Sequence, residues 1–165
     1  RVMGYQLIET IEVGSGGASS IEFTGIPQDG VDLVCLMSVR TTSSVSLQTR
    51  FNSDSGSNYS AKKLGVDDTT VVSSTRTSVT QFDQNDIISA TANTFASLQV
   101  YVSNYASTSN KSVSIDKVTE ENSSSSYSQI QAGSYATSSA ISSIQFLMSN
   151  FAQYSTASLY KITAD

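Results

Sequence analysis

The chain alternates apolar and polar positions along most of its length, and Ser or Thr fills many of the polar ones. Alternation with a period of two is typical of β-strands that bury one face, and short hydroxyl side chains suit the other face. The segment 96–102 gives the clearest example, with Ala96, Leu98, Val100 and Val102 on one side. Apolar stripes of helical period are nowhere longer than a turn or two, so the pattern predicts an all-β protein.

Several other segments predict strands of particular kinds. Residues 5–13 and 19–26 flank the glycine-rich Gly14–Gly17, and two alternating runs across such a link predict a hairpin. The run from Val31 to Arg40 is nearly all apolar, which predicts a central strand that is covered on both faces. Residues 69–85 fit no pattern, because Ser and Thr dominate between a few apolar positions.

The segment around Val118 breaks the alternation. Val113 and Ile115 mark one face of a strand, and Val118 falls out of phase with them, which predicts a β-bulge. With this strand, the chain contains about ten short strands at close spacing. We therefore expect one domain over residues 1–165, with an antiparallel β-sandwich or a closed antiparallel sheet.

Composition narrows the classes of partner. Only 14% of the 165 residues are charged, and the net charge is −5. Clustered Lys and Arg are needed to bind phosphate backbones, so we expect no nucleic-acid partner. No apolar run reaches the length of a membrane-spanning helix, so we expect no membrane span.

Known catalytic patterns fit the sequence poorly. The chain has no His and one Cys, Cys35, so it has too few His and Cys side chains for a zinc site. It also lacks the usual base for a Ser or Cys nucleophile, which is His. The Gly14–Ser19 segment lacks the third glycine of a dinucleotide fingerprint and precedes a strand instead of a helix. A glycosidase pair of carboxylates stays open, although the chain has no Trp for sugar stacking. We expect a protein that is not an enzyme and needs no cofactor.

Residues suited to contact are easier to identify. The loop Asn52–Asn58 is interpreted as a polar turn, with a calcium loop as the alternative. Exposed Tyr side chains often anchor interfaces, and five of them are predicted at outward or loop positions: Tyr101, Tyr105, Tyr127, Tyr135 and Tyr154. The predicted contact surface consists of Asn52, Asp54, Asn58, Tyr59, Tyr101 and Tyr105.

Several segments resemble a family of proteins that recur in tailed bacteriophages, especially marine ones, and at the ends of tail fibres. The matching segments are Ile21–Pro27, Arg50–Ser60, Ala92–Phe95, Tyr101–Tyr105, Asn110–Val113 and Ser155–Ile162. The chain departs from that family at Tyr135–Ala136, where Trp or Gly is frequent. The resemblance implies a jelly-roll-like sandwich that serves as a non-enzymatic part of the virion.

From this resemblance we expect a structural component of a tailed-phage virion, either a capsid decoration protein or a tail-fibre module. Its partners would be other virion proteins and further copies of itself, with a trimer as the expected oligomer. The alternative is a carbohydrate-binding adhesin that contacts a host-surface glycan. A glycosidase is the third hypothesis.

Overall fold

Twelve strands account for most of the chain. The computed structural model describes residues 3–43, 45–88, 90–122 and 126–164, which form strands and turns without a helix and so contain none that could cross a membrane. The strands are β1 (Met3–Glu12), β2 (Ala18–Phe23), β3 (Asp32–Val39), β4 (Val45–Phe51), β5 (Tyr59–Asp67), β6 (Thr70–Val79), β7 (Phe82–Ile88), β8 (Ala96–Val102), β9 (Lys111–Glu120), β10 (Ser126–Tyr135), β11 (Ile144–Phe151) and β12 (Thr156–Ala164). The segment 69–85, which fits no sequence pattern, holds all of β6 and the start of β7.

Eight of the strands form four nested antiparallel pairs, β1 with β12, β2 with β11, β3 with β8 and β4 with β7. They lie in two sheets, in the orders β1-β12-β3-β8 and β2-β11-β4-β7. Such nesting is the jelly-roll arrangement, and the expected all-β sandwich is confirmed. The expected hairpin of residues 5–13 and 19–26 is wrong, because β1 and β2 belong to different sheets.

The other four strands form an extension of the larger sheet. The hairpin β5–β6 lies in the connection between β4 and β7, and the hairpin β9–β10 lies in the connection between β8 and β11. The two hairpins continue the sheet beyond β8 in the order β9-β10-β5-β6 and bring it to eight strands. We call these four strands the extension.

The core lies between the two sheets of the jelly roll. The residues of β8 predicted to share one side are buried. β3 lies between β12 and β8, which confirms its central position. Only its first four residues are buried on both faces, however, because Leu36 is 44% exposed, so the expected double coverage of the whole run is wrong. Where the smaller sheet meets the extension, Phe82 packs against Phe51 and Tyr59, with ring centroids 5.9 and 5.1 Å apart. A Cβ atom at Gly133 would overlap the ring of Phe82, so β10 has no room for a side chain there.

The structure contradicts the bulge expected at Val118. β9 pairs with both β8 and β10 without a register shift, and burial alternates strictly along all ten of its residues. Val118 points outward, while its neighbours Lys117 and Thr119 point inward and are buried. Val118 is out of phase with Val113 because the apolar residues change face, and the backbone itself stays regular.

Candidate contact surface

The outer face of the extension, which points away from the smaller sheet, carries an apolar patch. Two in-register rows cross it: Ser97, Val118, Ser128, Val66 and Val71 form one, and Gln99, Asp116, Ile130, Leu64 and Ser73 form the other. The large apolar members are between 38% and 70% exposed. We call these five residues the extension patch: Leu64, Val66, Val71, Val118 and Ile130.

The inner face of the extension is polar directly behind the extension patch. Lys117, Thr119, Gln129 and Gln131 are each at most 4% exposed. Both side-chain amide atoms of Gln129 lack a hydrogen-bond partner among the described residues. Burying unpaired amide groups is unfavourable, and so is exposing aliphatic side chains. In this region the sheet therefore has its apolar surface on the side opposite to the core.

The outer face is uneven. A depression of about 400 Å³ lies over Ser128, which is flanked in register by Val118 and Val66. A second one, of about 350 Å³, lies over Ala132 and Ser114. The row that contains Ile130 and Leu64 borders both depressions. Ile130 and Leu64 thus form a ridge between the two hollows, and Val118, Val66 and Val71 border the first hollow from its other sides.

A third depression on this face is bordered by several serines, although most of its exposed lining atoms are carbon. It measures about 510 Å³ and is bordered by Lys62 and Tyr101. The outward serines that line it are Ser60, Ser112, Ser114 and Ser134. Tyr101 is partly buried, and its hydroxyl donates a hydrogen bond of 2.5 Å to Asp32, which raises the pKa of Tyr101 to about 12. Its hydroxyl proton is therefore already engaged, and its ring borders the depression.

The predicted contact loop 52–58 is an internally bonded turn. Asp54 accepts hydrogen bonds from Asn58 Nδ2 at 2.8 Å, from the Gly56 amide at 2.7 Å and from the Tyr135 hydroxyl at 2.9 Å. These donors, with Asn58 foremost, lower the pKa of Asp54. The side chain of Asn52 bonds to residues 140, 142 and 143, and so ties the loop to the segment before β11. The interpretation of this loop as a polar turn therefore accounts for the side chains of Asn52, Asp54 and Asn58.

Two of the predicted contact residues, Tyr59 and Tyr105, have no exposed surface. The Tyr59 hydroxyl accepts from the Phe51 amide at 3.1 Å, and burial raises its pKa to about 12. The Tyr105 hydroxyl accepts from the Gly30 amide and donates to the carbonyl of Pro27. The exposure predicted for Tyr105 and Tyr135 is wrong, because distant loops supply partners for their hydroxyls inside the protein.

The predicted residues do not form one surface. Asp54, Asn58 and Tyr59 belong to one hydrogen-bonded loop, Tyr105 joins the 27–30 turn, and Tyr101 lies on the outer sheet face. Tyr154 is 62% exposed, as expected, in the turn before β12. Sequence reasoning missed the extension patch, although the phase break at Val118 was a visible sign of it.

Comparison with known protein families, curated proteins and solved structures found no significant match to this chain. Within the described ranges, no group of three or more His, Cys, Asp or Glu side chains could hold a metal ion. The resemblance to tailed-phage virion proteins stays a prediction.

Proposed function

We propose that the protein is a non-enzymatic structural component of a tailed-phage virion, a capsid decoration protein or a tail-fibre module, that acts through protein–protein contacts. The observation that supports this proposal most is the extension patch. Five large aliphatic side chains lie together on the outer face of a regular sheet. The inward positions on the opposite face of the same strands hold Lys, Thr and Gln. Contiguous apolar patches of this kind mark interaction sites on soluble proteins.

The position of the patch supports the same role. The jelly roll has its own core between two four-stranded sheets, and the extension adds four strands outside that pairing scheme. The extension supplies few apolar side chains to the core beyond the first halves of β5 and β9. The five side chains of the extension patch are directed outward, where only another molecule can bury them. The extension is thus suited to contact and the jelly roll to its support.

The proposal is tested with phage particles. We expect antibodies against the protein to label intact virions, and the Ile130→Lys variant to fold but to be missing from purified particles. Leu7→Lys is the matched control, because Leu7 is similarly exposed (52% against 56%) on β1, at the opposite edge of the same sheet. Particles that lack the wild-type protein, or that incorporate both variants equally well, would contradict the proposal.

Glycan binding is a second candidate, and the depression bordered by Tyr101 and the serines favours it. A sugar could form hydrogen bonds with the serines there and contact the ring of Tyr101. We expect Ser114→Leu, which fills the depression, to abolish any binding on a glycan array. Ser38→Leu is the control, because Ser38 is an exposed outward hydroxyl on β3. Absence of any glycan signal with the wild-type protein eliminates this candidate.

A further inference from the structure

We propose that the extension patch is covered by the same patch of a second copy of this chain, related to the first by a two-fold axis that crosses the strands. This inference rests on the proposed function, since it names the partner that the contact surface takes. A two-fold contact uses one patch on both molecules, so its elements must complement themselves. The charges, the shape and the size of the patch each meet this requirement.

The outward residues of β5 have a self-complementary order of charge. Lys62, Leu64 and Val66 are successive outward residues, and Asp68 follows in the turn at the end of the strand. All four are exposed. A two-fold axis between Leu64 and Val66 sets Leu64 against Val66 of the second copy. The same axis brings each Lys62 to the Asp68 of the other copy, so that unlike charges meet at both ends of the apolar contact.

The shape of the outer face is also self-complementary under the same axis. Ile130 and Leu64 stand on the ridge, and the adjacent row has its hollow at Ser128. The axis lies between these two rows, so it places Ile130 of one copy over Ser128 of the other. Ile130 of each copy then fills the hollow at Ser128 of its partner, which gives the close fit that stable interfaces show.

The patch is large enough to be the centre of such a contact. Its five side chains expose roughly 400 Å² of apolar surface, within the range of functional patches on monomers. A standard interface needs about 800 Å² per partner. The surrounding outward residues are mostly hydroxyl-bearing, for example Ser73, Ser97 and Thr75, and they supply further area. Asp116 is the one carboxylate within the two rows. The expected assembly is a closed pair, in contrast to the trimer expected from the sequence.

Sedimentation velocity over a range of concentrations tests the pairing. We expect the wild-type protein to shift from monomer to dimer, and Ile130→Lys to weaken this association at least a hundredfold. Leu7→Lys should associate like the wild type, because β1 lies seven strands away from β6 in the sheet. A wild-type protein that stays monomeric at all concentrations would overturn the inference, and so would equal association of Ile130→Lys.

A charge reversal tests the two-fold geometry itself. We expect Lys62→Glu to weaken the dimer about tenfold at low salt, because it places Glu opposite Asp68 of the second copy. Adding Asp68→Asn should recover most of this loss, since it removes the repulsion. In the wild type the Ser126 amide donates a hydrogen bond of 3.0 Å to Asp68, and Asn retains an oxygen that can accept this bond. Lack of any effect at Lys62, or of recovery in the double variant, contradicts the two-fold arrangement.

The two proposals fail in distinguishable ways. If the wild-type protein is monomeric but Ile130→Lys is still lost from virions, the patch binds a different virion protein and only the two-fold inference is wrong. If the protein dimerises but is missing from virions, the pairing holds and the virion role is wrong.

Discussion

β8 and β9 are neighbours in one sheet, yet they distribute their side chains in opposite ways. The inward positions of β8 are all apolar, and its outward positions are Ser97, Gln99 and Tyr101. Along the second half of β9 the inward positions are Lys117 and Thr119, and Val118 points outward between Asp116 and Glu120. A strand in the jelly roll is selected for a core on its inner side. The outer side of the extension has the apolar surface that a second core, formed with a partner, requires.

The boundary between the two regions should show the largest effect on stability. Phe82 of β7 lies there, fully buried between Phe51 of the jelly roll and Tyr59 of the extension. We expect Phe82→Ala to lower the free energy of unfolding by about 4 kcal/mol, since it leaves a cavity among aromatic rings. Urea denaturation measures this change. The partly exposed Phe95, replaced by Ala, should cost clearly less, and equal losses would contradict the assignment of Phe82 to the shared core.

A buried lysine at the start of β9 anchors the extension to the jelly roll. The Lys111 ammonium donates to the carbonyl oxygens of Ser107, at 2.9 Å, of Ser139, at 3.2 Å, and of Ser109. We expect Lys111→Met to lower the free energy of unfolding by about 3 kcal/mol, because these carbonyls lose a charged donor. Lys62→Met, at an exposed site on β5, is the control in the same thermal denaturation assay and should change it little. A loss at Lys62 as large as that at Lys111 would show the anchor to be unimportant.

The 52–58 loop should make stability sensitive to acid. Hydrogen bonds lower the pKa of folded Asp54, so its contribution is fully present above the ordinary carboxyl pKa of 3.8. That contribution is lost as the pH falls through the lowered, folded-state pKa. We expect Asp54→Ala to cost about 2 kcal/mol at neutral pH, and the difference from the wild type to shrink in strong acid. Melting temperatures of both proteins across pH measure it, and a difference that is independent of pH would refute the role of the carboxylate.

The polar inner face of the extension predicts a smaller effect of the opposite sign, an increase in the free energy of unfolding. Gln129 is buried with an unpaired amide among the described residues, so an apolar residue of similar shape should be preferred. We expect Gln129→Met to raise the free energy of unfolding by about 1 kcal/mol. Gln99→Met, on the exposed outer face of β8, should leave it unchanged. Destabilisation by Gln129→Met would indicate that the polar inner face of the extension is itself required for folding.

Much of the jelly roll can be predicted from the sequence, since alternation follows burial there. The inward residues of β8 and the doubly covered start of β3 are examples. β6 cannot be predicted in this way, because it is an edge strand that is exposed on both faces and so shows no apolar period. At Val118 the alternation was visible, but which face would be buried depended on the partner sheet.

The candidate site was harder to predict for a related reason. Tyr105 follows β8 in a loop, and nothing near it in sequence indicates that the Gly30 amide, 75 residues earlier, bonds to its hydroxyl. The loop around Asp54 has a local signal, because Asn, Asp and Gly at close spacing favour a turn with side-chain acceptors. Local chemistry could therefore be predicted from the sequence, whereas exposure depended on long-range contacts.

The most direct measurement of the central claim is the solvent accessibility of individual methyl groups at low and high protein concentration. Relaxation caused by a soluble paramagnetic probe reports it for Ile, Leu and Val in solution. We expect the methyls of Ile130, Leu64, Val66, Val71 and Val118 to become protected as the concentration rises, while those of Leu7 stay accessible. Patch methyls that remain as accessible as those of Leu7 at every concentration would contradict the claim that a second copy covers this face.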